Sequence, residues 1–152
     1  MSQIKIKNNF IIVLEKLLSQ DIEKKFYKLI IELKKLLRDN IVFEKKSIDG
    51  LENELKKQKA SIKKSISSLY LKIDKYSETD EKIYLSAAER DLESLIGTLK
   101  GLQSEFYTTY VSILHDDALS KRTVFGSSSG KEITLYIDSL GDNLKSLRDA
   151  LN

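Results

Sequence analysis

The sequence predicts an all-α protein: an antiparallel up-down-up-down helical bundle of three long helices and a shorter C-terminal fourth, forming one domain over residues 1–152. Three observations predict it. Apolar residues recur in steps of three and four through most of the chain. Proline is absent and only six glycines interrupt the 152 residues, so there are few corners. Lys, Glu, Leu, Ile and Ser dominate, a palette that suits long helices.

The first helix is expected at about 9–37. Before it, Ile4 to Lys7 alternate like a short strand, but so brief a pattern reads better as a frayed lead-in. Ile22, Phe26, Leu29, Leu33 and Leu36 keep one stripe, and Tyr27, Ile30, Ile31 and Leu37 widen it toward a second neighbour. Ser19-Gln20 is the weak point, because Ser19 followed by Asp21 and Glu23 is also a helix-start signal. Arg38-Asp39-Asn40 makes the first corner.

The second helix is expected at about 41–76. It carries Ile48, Leu51 and Leu55, then Ile62, Ile66, Leu69, Ile73 and Tyr76, with a thin lysine-rich stretch between the two groups. Asp49-Gly50 marks a weak spot within it, since a helical glycine costs about 1 kcal/mol relative to alanine.

The third helix, at about 80–115, organises the rest. Leu85, Ala88, Leu92, Leu95, Leu99, Leu102, Phe106 and Ile113 form one row, broken only at Thr109. Thr79 is expected to cap its start, with Asp80 and Glu81 facing the positive end of the helix dipole. A rod of that length cannot bury its stripe alone and needs the other helices as partners.

After His115 the pattern fades, and Gly126-Ser127-Ser128-Ser129-Gly130 reads as a flexible loop. Residues 123–137 admit two readings. Thr123 to Phe125 and Ile133 to Ile137 could pair as a hairpin across that loop. Ile133, Ile137, Leu140, Leu144, Leu147 and Leu151, with Ser129 and Glu132 as a reciprocal cap, favour a fourth helix at about 130–151. The competing architecture is a helical hairpin that completes its core as a homodimer.

No chemistry is visible. Cysteine is absent, and the single histidine, His115, is followed by Asp116 and Asp117 but lacks the Glu-x-x-His pattern of a bundle metal site. No glycine-rich phosphate loop or nucleophile elbow occurs, so no enzyme, cofactor, metal or small-molecule substrate is expected. The apolar run at Phe10 to Leu14 is too short for a membrane span, and the chain is expected to be cytoplasmic.

Interaction surfaces remain. Net charge is +3, but eighteen Lys or Arg face ten Asp or Glu up to Tyr76, a net +8, and eight face thirteen beyond it, a net −5. Lys56, Lys57, Lys59, Lys63 and Lys64 form the basic candidate surface, with little Arg and no interleaved aromatic. Gly97 and Gly101 form a glycine-x-x-x-glycine pair, read as an internal crossing point where another backbone comes close, or else as a partner's seat. Tyr107 and Tyr110 flank Phe106 and are expected at the core edge with hydroxyls in water, or as interface anchors.

These features point to a helical adaptor, chaperone-like or assembly subunit that binds another protein through a bundle face or its basic N-terminal hairpin. Two alternatives are a nucleic-acid or anionic-membrane accessory protein using the Lys56 to Lys64 surface, and a ligand-sensing four-helix domain of a membrane receptor.

Overall fold

The structure, a computed structural model, describes residues 9–36 and 42–152. The lead-in at Ile4 to Lys7 and the first corner at Arg38-Asp39-Asn40 lie outside the described residues. The described residues are helical, in the order α1 (Asn9–Leu18), α2 (Ile22–Leu36), α3 (Val42–Thr79), α4 (Lys82–Leu114), α5 (Asp117–Val124) and α6 (Ser128–Leu151). The all-α expectation holds, with six helices where four were expected.

The expected first helix is two. Ser19 folds its hydroxyl back onto the Lys16 carbonyl at 2.7 Å, and Gln20 N–H tightens onto the Leu17 carbonyl at 3.1 Å. Asp21, not Ser19, then starts α2, its carboxylate accepting the Lys24 N–H at 3.0 Å. Side chains that bond to nearby backbone compete with the helical ladder, and here they end it.

By contrast, α3 runs unbroken through Asp49-Gly50 for 38 residues, about 57 Å at the usual rise. Thr79 closes it rather than opening the next helix: its hydroxyl donates to the Lys75 carbonyl at 2.8 Å. Asp80 turns the corner in the left-handed region (φ 60°), and α4 begins at Lys82 with no side-chain cap from Glu81.

All eight apolar positions of the organising row are buried on α4, joined by Ile96 and Tyr110. His115 ends α4 in the left-handed conformation, its N–H on the Val111 carbonyl. The weakly patterned segment beyond it is the short helix α5. Asp116 caps it by accepting the Leu119 N–H at 3.1 Å, and Ser120, Thr123 and Val124 are buried.

The hairpin reading of 123–137 is therefore overturned, and the loop expected at 126–130 shrinks to a turn over 125–127 because Ser128, Ser129 and Gly130 already belong to a helix. Helix α6 starts at Ser128, with Ser127 accepting the Gly130 N–H at 3.1 Å. Ser129 and Glu132 do not cap each other. Each reaches α2 instead: the Ser129 hydroxyl donates to Glu32 at 2.7 Å, and Glu132 pairs with Lys25 at 3.3 Å.

Cross-links between helices set their relative directions. Lys34 pairs with Glu52 and Lys59 with Glu23, so α2 and α3 are antiparallel. Glu32 with Ser129 and Lys25 with Glu132 make α2 and α6 antiparallel. Gln103 to Thr134 and Arg148 to Glu89 do the same for α4 and α6. The core lies between these rods, where Phe26 and Phe106 meet with ring centroids 5.3 Å apart.

Candidate interaction surfaces

The Gly97 and Gly101 pair does not seat an internal crossing. Both residues are exposed, and a Cβ built on either meets nothing within 4 Å. The reason is angular. Leu95, Leu99 and Leu102 aim α4 at the core, and positions 97 and 101 fall on the opposite side of the same turns.

They open instead on a groove along the outside of the α3–α4 pair. Its first depression, about 430 Å³, is lined by Glu54 and Gln58 from α3 and by Ser94, Gly97, Thr98, Gly101, Leu102 and Glu105 from α4. A second, about 380 Å³, continues past Glu54 and Glu105 to Ser47, Gly50, Leu51, Thr108, Thr109 and Ser112. Gly50 also has nothing within 4 Å of a built Cβ. Apart from Leu51 and Leu102 in the floor, the walls are glycine, short hydroxyl residues, one amide and two carboxylates. Gln58 donates to Glu54 at 3.1 Å, and among the described residues no lysine or arginine lines the groove.

The sequence marks Gly97 and Gly101 as a candidate seat but presents Gly50 only as a weak spot in its helix, and the hydroxyl residues beside them carry no apolar signal. A signal was present: Ser94, Gly97, Thr98, Gly101, Glu105, Thr108 and Ser112 share the spacing of one helix face. Small and polar residues at that spacing are a weak signal, because the solvent side of any amphipathic helix carries them.

The basic stretch lies on α3, and all five lysines are exposed. Lys59 leans onto Glu23 of α2 at 3.5 Å. Lys56, Lys57, Lys63 and Lys64 have no acidic partner among the described residues.

The two tyrosines divide. Tyr107 is half-buried; its hydroxyl donates to Asp117 and its ring lies 5.5 Å from that of Phe125, so it ties α4 to the α5 region. The bond to Asp117 holds the Tyr107 phenol above its ordinary pKa. Tyr110 is not at the core edge. It is wholly buried, its hydroxyl has no hydrogen-bond partner among the described residues, and burial pushes its pKa well up. Tyr136 is likewise buried and raised to about 12, by burial first and by Tyr70 second.

Among the described residues no group of three or more His, Cys, Asp or Glu could hold a metal ion, and no helix is long and apolar enough to cross a membrane. His115 itself is exposed. No protein-family model, curated protein or solved structure matches the chain.

Proposed function

We propose that this protein is a non-enzymatic helical interaction module whose α3–α4 groove receives a helix of a partner protein. In this reading α1 and α2 together count as one column of an up-down-up-down bundle, with α3, α4 and α6 as the other three and α5 plugging one end. The observation that carries the reading is the placement of Gly50, Gly97 and Gly101. Each weakens its helix by about 1 kcal/mol relative to alanine. None is required by the packing of the described residues, since a Cβ at any of them would meet nothing within 4 Å. Small side chains in register on two neighbouring rods let a third backbone approach closely, as helix grooves that take helices do. Glu54 and Glu105, at the junction of the two depressions, favour a partner that carries Lys or Arg at its centre.

The test fills the groove without touching the core. A protein carrying Gly97→Leu and Gly101→Leu should fold with unchanged helicity and lose the partner that the wild type co-precipitates from its native source. Retention of the same proteins by both baits would defeat the reading. If the partner is a second copy of this chain, mass measured in solution should fall from dimer to monomer on the same substitutions.

A further inference from the structure

We propose that the outer ridge of α3 binds double-stranded nucleic acid along its phosphate backbones, without reading base sequence. This surface adjoins the glycine groove along α3, since Gly50 stands seven residues before Lys57 in the same row, but it rests on different side chains.

Residues 55–73 contain six lysines and no acidic residue. Two of the six are engaged by neighbouring helices: Lys59 by Glu23 at 3.5 Å and Lys72 by Asp91 at 2.5 Å. The other four are exposed and have no acidic partner among the described residues, and their spacing is regular. Residues seven apart stand above one another on a helix, about 10 Å along its axis. Lys56 and Lys63 therefore form one row, and Lys57 and Lys64 a second, about 100° around the rod. Between the rows runs a crest of short, uncharged and exposed residues, Asn53, Ala60 and Ser67. The buried positions Leu55, Ile62 and Leu69 lie on the opposite side, so this whole face turns outward.

A low neutral crest flanked by two rows of flexible cations suits a concave, two-walled anion. The major groove of duplex DNA is about 12 Å wide and admits a helix, with a phosphate backbone on each side. Seated there, each lysine row faces one wall. A flat anionic membrane would meet the neutral crest first, and the apolar stripe of α3 is buried in the core, leaving Leu71 as a single exposed leucine on this face. Nothing on the ridge presents an arginine fork or an aromatic ring to a base, so binding rests on phosphate contacts and is indifferent to sequence.

The experiment is fluorescence anisotropy of a short labelled DNA duplex with the full chain. Four phosphate contacts predict that affinity falls about a hundredfold between about 50 and 200 mM salt, with a log–log slope near −3.6. The pairs Lys56→Gln with Lys63→Gln, and Lys57→Gln with Lys64→Gln, should each reduce the slope by about 2. A control pair on other helices, Lys100→Gln with Lys145→Gln, removes the same charge and should leave the slope in place. Arginine at either row should preserve binding, which separates loss of charge from loss of fold, and helicity is checked by circular dichroism. Absence of binding at low salt would overturn the proposal. So would equal effects of row and control pairs, or preference for phosphatidylglycerol vesicles over the duplex.

Discussion

Gly97 and Gly130 are both helical glycines, yet they ask opposite things of a methyl group. A Cβ at Gly97 enters empty space, whereas one at Gly130 falls 1.8 Å from the Val124 carbonyl oxygen, where the first turn of α6 crosses the end of α5. Gly97→Ala should therefore raise stability by about 1 kcal/mol through helix propensity and a less flexible unfolded chain. Gly130→Ala should lower it by about 1–3 kcal/mol, because the carbonyl belongs to rigid backbone. Urea midpoints at constant m-value measure both, and a stabilising Gly130→Ala would contradict the packing described. Sequence could not rank these glycines. Gly101 and Gly97 have the more suggestive spacing, and the close approach occurs at Gly130, inside a stretch read as a loop.

At the scale of elements, the start of α6 is held from outside itself. Glu32 of α2 accepts from both the backbone N–H and the hydroxyl of Ser129, at 3.3 and 2.7 Å. The carboxylate thus sits at the positive end of the α6 dipole and satisfies a donor that the first turn leaves open. Replacing Glu32 with alanine should cost about 1–3 kcal/mol, since Ser129 is buried and would keep an unpaired hydroxyl. Hydrogen exchange should speed up first in the opening turn of α6; uniform acceleration through all helices would argue against this local role. The break between α1 and α2 belongs to the same scale. Ser19, Gln20 and Asp21 carry a start signal visible in the sequence, but an apolar stripe continuing across them argued for one rod. Local side-chain bonds decided the matter. Asn143 then holds α1 in place, donating to the Phe10 carbonyl at 2.6 Å across 133 positions of chain.

The whole molecule has a built-in limit at high pH. Tyr110 and Tyr136 lie on different rods, both with buried hydroxyls that have no hydrogen-bond partner among the described residues. Burial raises both pKa values, that of Tyr136 to about 12, above the value of 10 expected in the unfolded chain. Below pH 10 both states keep their protons and stability is unaffected. As pH rises past 10 the unfolded chain releases protons that the folded one retains, so stability falls by about 1.4 kcal/mol per unit for each tyrosine. Denaturant midpoints should thus drop between pH 10 and 12, and the double variant Tyr110→Phe with Tyr136→Phe should blunt the drop. An unchanged profile in that variant would assign the alkaline loss to other groups. The phenylalanines should also leave neutral stability intact, because each removes a hydroxyl that makes no bond in the core.

Sequence alone determined the all-helical class and most of the buried face of α4, because apolar spacing is a local property that the backbone converts directly into a stripe. It also placed the five exposed lysines on one helix. What only the tertiary structure decided was where each polar or small residue looks. Ser129 bonds to α2 instead of capping its own helix, Tyr110 is sealed in the core, and the Gly97–Gly101 face opens outward. Those outcomes depend on which rods become neighbours, a relation between residues far apart in the chain that no local spacing encodes.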